Sequence, residues 1–336
     1  MKIVGIDAGG SKTRVVAAAA QDLEGRAAGR CAEAILGPGN YRYLGDAGVR
    51  LLAREIVARL HIEQPRQTRI VGGFAGAGTA ASQGAIQDAF VAAGFAKENL
   101  VITSDAGLLL EALGGSGIVL IAGTGSICMG RIRDPAAPGQ SPIVRAGGYG
   151  YRMASEAGGY YLGMGAIEAA LKIQDGRRQQ ATVLDQEVRD YFGLENLQEI
   201  TPILNPAAGD QGSVQENVAG LARRVLRAAS TGDAVAAALV EGAVADLADH
   251  VRAVWDRLDV PKSAVGLHGG LFADPHAEEL LIMPLQKHSL LRGLELEFAT
   301  LGIKADDADP LLEAMKSTIG CGGTGGRGAR MCCTRA

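Results

Sequence analysis

The sequence predicts an α/β protein of two domains, and three observations carry that expectation. An apolar run, a polar glycine turn and a second apolar run open the chain at residues 1–20, and the same arrangement returns at 118–132. Around these two hairpins, short strand-like runs alternate with segments of helical spacing, the pattern of an α/β layer. The 336 residues also exceed what one hydrophobic core usually serves.

In the first hairpin, Ile3, Val4 and Ile6 read as a buried strand and residues 15–20 as its partner, while 8–13 is too polar and glycine-rich to be either. Asp7 therefore ends the first strand, facing the turn. Residues 25–36 read as a third antiparallel strand, followed by the loop Gly37-Pro-Gly-Asn-Tyr41. Asn40 offers a donor and an acceptor there, and a purely turn-forming role fits it as well. Val49, Leu52, Ala53, Ile56 and Leu60 keep the spacing of a helix over 44–60. Next come a strand at 69–74, a helix at 80–93 and a strand at 100–103 that stops at Ser104-Asp105-Ala106-Gly107, before a helix at 108–113. Gly114-Gly-Ser-Gly117 interrupts the alternation and divides a first domain, 1–113, from a second, 114–319.

The second domain begins with strands at 118–121 and 127–132 flanking the glycine turn 122–126. A loop at 145–150 containing Gly147 and Gly148 precedes helices at 155–173, 214–229 and 234–258. A last inner strand, 265–267, ends at His268-Gly-Gly270, and a helix at 309–319 closes the folded part. The tail 320–336, with six glycines and no periodicity, is expected to be disordered or foreign to the fold.

Composition narrows the partners. Hydrophobic residues at 47% and charged ones at 21% describe an ordinary globular chain. A net charge of -4 supplies no broad cationic field for nucleic acid or anionic membranes, so a small-molecule ligand is expected. No apolar run reaches the roughly 18 residues of a membrane helix, which predicts a cytoplasmic protein. Cys31, Cys128, Cys321, Cys332 and Cys333 lack C-x-x-C spacing and read as free thiols. The 48 glycines cluster at the turns named above, where backbone would approach a ligand.

Those turns suggest phosphate. Glycine lets N–H groups approach an anion, Lys12 adds a point charge, and Ser11 and Thr13 add hydroxyl donors. A carboxylate at the same mouth repels phosphate unless a cation lies between, so Asp7 fits a partner of hydrated Mg2+. The turn is no Walker A loop, because Ser11 stands between Gly10 and Lys12. An ordinary glycine hairpin with an exposed Asp remains open on these residues alone. Asp105, at a strand mouth and followed by small residues, fits a base that takes a hydroxyl proton, while Ser104-Asp105 also fits a helix N-cap.

Taken together, Gly5-x-Asp7-x-Gly9-Gly-Ser-Lys-Thr13 and Gly123-Thr-Gly-Ser126 resemble the superfamily of sugar kinases, actins and heat-shock chaperones. Ser104-Asp-Ala-Gly107, Gly147-Gly-Tyr-Gly150 and Gly266-Leu-His-Gly-Gly270 are similar to N-acetylglucosamine and glucosamine kinases of the BadF/BadG-type ATPase group, over about residues 1–319. The resemblance implies two ribonuclease H-like (actin-like ATPase) domains, each a mixed five-stranded sheet flanked by helices, with the active cleft between. It implies ATP and Mg2+ as cofactors and transfer of the γ-phosphate to an amino sugar, at the 6-hydroxyl, by a homodimer.

By the same resemblance, Asp7 is the Mg2+-associated carboxylate and Asp105 the catalytic base. Gly9, Gly10, Ser11, Lys12 and Thr13 form the first phosphate loop, Gly123, Thr124, Gly125 and Ser126 the second, and Gly269-Gly270 the adenosine-contacting turn. Asn40 contacts a sugar hydroxyl, and Gly147, Gly148 and Tyr149 form the substrate loop, where the family often has Trp in place of Tyr149. Where the family typically reads Gly-Asp-Glu-Gly-Ser, this chain has Ala154-Ser-Glu-Ala-Gly158, keeping Glu156 as a substrate contact but putting Ser155 in place of a carboxylate. One weaker acceptor for two predicts altered affinity or sugar choice. Two other readings stay open: an ATPase activator of a redox partner, whose cluster-holding cysteines are not matched by Cys31 and Cys128, and a catalytically silent nucleotide-binding regulator.

Overall fold

The computed structural model describes residues 1–9, 12–24, 31–132, 142–150, 153, 156–177, 181–205, 211–302 and 309–319. Its first half runs β1 (Lys2–Ala8), β2 (Thr13–Ala19), α1 (Ala20–Glu24), β3 (Ala32–Leu36), α2 (Tyr41–Arg59), β4 (Thr68–Phe74), α3 (Ala80–Ala92), β5 (Leu100–Ser104) and α4 (Asp105–Ala112). The strands form one sheet in the order β3-β2-β1-β4-β5. The hairpin side is antiparallel and the crossover side, β1-β4-β5, parallel.

The second half runs β6 (Gly117–Ala122), β7 (Ser126–Arg131), β8 (Val144–Gly147), α5 (Gly159–Gln174), α6 (Leu184–Phe192), α7 (Ile200–Leu204), α8 (Gln211–Gly220), α9 (Ala222–Ser230), α10 (Ala234–Leu258), β9 (Lys262–His268), α11 (Met283–Gln286) and β10 (Glu295–Thr300). Its sheet, β10-β9-β6-β7-β8, repeats the first when read from the opposite edge, again with an antiparallel hairpin side and a parallel side. The two mixed five-stranded sheets are thus present. Two strands escape the sequence reading: β8, short and glycine-ended, lies within the expected loop, and β10 shows only half-buried Leu296, Phe298 and Thr300 alternating with exposed neighbours. The expected helix 214–229 is two, broken at Leu221 beside Gly220, which faces the Tyr191 hydroxyl.

The chain then returns. Helix α12 (Pro310–Ser317) lies on the first sheet, where Leu311, Ala314 and Met315 pack with Ile3, Val16, Val71 and Leu108. Helices α2 and α3 cover the other face through Val49, Ile56, Ile86 and Phe90. Residues 310–317, grouped on sequence with the second domain, therefore complete the core of the first. This approach explains Gly5: a Cβ there would stand 2.6 Å from Met315 Sδ and 2.9 Å from Leu311 Cδ1.

A small core joins the halves. Ala106, Leu109 and Leu110 of α4 pack against Val119 of β6 and Met129 of β7. Beside them Arg131 Nη2 meets Glu111 Oε1 at 2.6 Å, with the two side chains only 9% and 2% exposed. Arg131 Nε also donates to Gly115 O at 2.8 Å, inside the expected hinge.

Candidate active site

Parallel strands deliver side chains to their carboxyl ends, where ligands of open α/β sheets bind. Asp7, near the end of β1, and Asp105, directly after β5, both reach a cleft of about 460 Å3. Arg14 joins them from β2, and Ile121, His268 and Gly269 line the cleft from the second half. Asp309 and Pro310 close one side. The N-cap alternative for Asp105 goes to its neighbour: Ser104 Oγ accepts from Gly107 N at 3.0 Å. Asp105, the first residue of α4, accepts from Ala106 N at 2.9 Å through Oδ1 and stays exposed to the cleft.

Asp7 is open to the cleft but ringed by protein elsewhere. That burial, and then the charge of nearby Asp105, raise its pKa above the usual carboxylate value. Arg14, directly across the β1-β2 ladder, and His268 pull the other way. Arg14 is itself held by Glu33 at 2.8 Å and by Asp309 at 2.7 Å, which keep its guanidinium charged. A carboxylate whose pKa is raised by burial and by a second carboxylate beside it marks a site a cation would relieve. No group of three potential metal-ligating side chains exists among the described residues, and Mg2+, which keeps most of its water, asks for only one or two carboxylates. Asp7 and Asp105 fit that demand.

Backbone hydrogen bonds fasten the described residues of both glycine turns, and two of the expected ligand hydroxyls bond within the protein. Gly9 N donates to Lys12 O at 2.9 Å, closing the first turn, and Lys12 is exposed. Thr13 is wholly buried and its hydroxyl donates to Gly37 O at 2.8 Å, so it is no phosphate donor. Gly10 and Ser11 lie outside the described residues. In the second turn Gly123 N donates to Gly125 O at 2.9 Å, while Gly123 O and Thr124 O accept from Gly159 N and Tyr160 N at the start of α5. The Ser126 hydroxyl donates to the Glu156 carbonyl, again a structural bond where a ligand contact was expected.

A second hollow, about 640 Å3, contains Gly123, Thr124, Gly270, Tyr191, Glu216 and Arg223. Leu271 N donates to Ala122 O at 3.0 Å, fastening the Gly269-Gly270 turn to the second hairpin. Gly269 lines the first hollow and Gly270 the second, so the two adjoin at this turn.

Of the expected sugar contacts, Asp105 lines the cleft, whereas Asn40, Gly147, Gly148, Tyr149 and Glu156 are outside the lining of either hollow. Asn40 caps α2, its Oδ1 accepting from Arg42 N at 3.0 Å, which leaves its amide nitrogen and the oxygen's second lone pair for a ligand. Gly147 ends the edge strand β8 and Gly148 follows it, and Tyr149 is exposed with the Arg145 guanidinium 4.5 Å from its ring centre. Glu156 is half-buried, and Ser155 lies outside the described residues. Conversely, Arg14, His268 and Asp309 line the cleft with no role assigned on sequence. His268 stood in plain view at a strand end beside two glycines, but only the fold shows what that end faces.

An N-acetylmuramic acid/N-acetylglucosamine kinase of Clostridium acetobutylicum is 29% identical over 273 residues, 79% of this chain and 83% of that one. A structure assigned as an N-acetylglucosamine kinase of Chromobacterium violaceum superposes with a TM-score of 0.64 at 24% identity, covering 94% of this chain and 98% of that one. One from Porphyromonas gingivalis, similarly assigned, gives 0.59 at 18% identity over 95% and 98%. These two structures share the fold. The model of the BadF/BadG/BcrA/BcrD ATPase family matches residues 4–289, and the chain belongs to that family.

Proposed function

We propose that the protein is an ATP-dependent sugar kinase acting on an amino sugar, N-acetylglucosamine or glucosamine, at its 6-hydroxyl. One observation carries the reading: Asp7 and Asp105 share a cleft with Gly269, and that cleft adjoins a hollow built from the second glycine turn and Gly270. The nucleotide lies along the second hollow with its phosphates toward the cleft, where Lys12 supplies a charge from the first turn. Asp105 takes the proton of the acceptor hydroxyl as that oxygen attacks the γ-phosphorus and ADP departs. Asp7 holds the hydrated Mg2+ that spreads the phosphate charge. The first domain is 1–113 with α12 added, the second 114–302, and closure of one on the other excludes water.

The amino-sugar assignment draws on the clostridial relative, whose name gives N-acetylmuramic acid and N-acetylglucosamine as substrates. Purified protein with Mg·ATP, screened against N-acetylglucosamine, glucosamine, N-acetylmuramic acid and glucose, should phosphorylate an amino sugar fastest. Turnover on none of them defeats the proposal. Asp105→Asn should lower turnover about 10²–10⁴-fold, the usual contribution of a positioned base, while nucleotide affinity stays within a factor of about two.

A further inference from the structure

We propose that His268 is a further catalytic residue, touching the γ-phosphate of bound ATP through Nε2; the inference rests on the kinase reading above. Three observations support it. His268 ends β9 and immediately precedes the Gly269-Gly270 turn, where the nucleotide hollow and the Asp7–Asp105 cleft meet. A triphosphate reaching from Gly270 and Thr124 toward Asp105 must pass this turn, so its terminal phosphate arrives beside the imidazole.

The ring's orientation is fixed. Nδ1 lies 2.7 Å from Leu301 O, and since a carbonyl only accepts, Nδ1 carries the hydrogen of that bond. Nε2 is the nitrogen left to face the cleft that His268 lines. Charge points the same way. The described lining carries three carboxylates, Asp7, Asp105 and Asp309, against two groups able to be cationic, Arg14 and His268. Arg14 is committed to Glu33 and Asp309, so His268 is the lining group that brings an uncommitted nitrogen from the second half. His268 and Asp7 line the same cleft, which puts the ring in the cavity of the proposed Mg2+ partner.

Two substitutions separate a phosphate contact from a merely structural ring. His268→Asn retains a donor near the Nδ1 position and loses Nε2, whereas His268→Gln places an amide N–H near Nε2 and loses the bond to Leu301. Affinities of both variants for a non-hydrolysable ATP analogue and for ADP, with Mg2+, are measured by calorimetry, alongside kcat and KM. H268N should bind the analogue about tenfold more weakly, the effect of one charged hydrogen bond, with ADP affinity unchanged. H268Q should keep most of the analogue affinity. The reverse pattern, with Asn like wild type and Gln impaired, assigns the ring to holding Leu301 and overturns the inference, as do equal losses for both nucleotides. Wild-type protein that binds neither nucleotide removes the kinase reading itself; wild type that binds both, with H268N unchanged, removes only the role of His268.

Discussion

Ala157 sits in the left-handed region, φ +57°, where a glycine would be unstrained, and is fully buried. A Cβ in that conformation costs about 1–2 kcal/mol, partly offset because glycine loses more freedom on folding. Ala157→Gly should therefore stabilise the protein by up to about 1 kcal/mol in a denaturant titration. Asp7 illustrates the opposite tension. Its raised pKa means that its contribution to stability is present below the unfolded value of 3.8 and is lost as pH rises through the folded one. At neutral pH and without metal, Asp7→Asn should melt no lower than wild type, and higher if burial and Asp105 dominate as the shift implies. The same variant should lose Mg·ATP binding in calorimetry. A lower melting temperature together with intact binding would show Asp7 to be a structural residue.

At the scale of elements, the strand ends carrying both carboxylates were legible because periodicity and glycine turns locate strand ends well. Thr13 and Ser126 were misjudged for a physical reason: a hydroxyl beside a glycine turn serves a neighbouring carbonyl as readily as a phosphate, and only Gly37 and Glu156, distant in sequence, decide between them. Gly5 teaches the same lesson. In sequence it belongs to a phosphate-turn pattern, but in the structure it makes room for Met315 and Leu311 of α12. Gly5→Ala should overpack that contact and destabilise by about 1–3 kcal/mol, read as a shifted unfolding midpoint. Truncating Met315 to Ala in the same background should cost less than the sum of the two single changes, because the nearest colliding atom, Met315 Sδ, is then gone while Leu311 stays.

For the whole molecule, the repeated sheet order makes each half a version of the other, and the sequence revealed this through the two hairpins, although β8 and β10 lay below the signal. What joins the halves was not legible. The Glu111–Arg131 pair links the helix that begins at Asp105 to the strand that begins at Ser126, an ion pair buried between two sheets and formed 20 residues apart. Removing the guanidinium by Arg131→Met breaks a buried ion pair and should cost about 3–5 kcal/mol. Glu111→Gln added to it should restore a good part of the stability, a non-additivity that a double-mutant cycle measures.

The return of α12 to the first sheet carries a further consequence for biosynthesis. The opening strands leave the ribosome early, but the oily surface of Ile3, Val16 and Val71 is covered only in part, by Leu23 and Leu108, until residues 310–317 have been translated. The half made first is thus the half finished last, and a nascent chain stalled anywhere in the second sheet presents that surface to chaperones or to its neighbours.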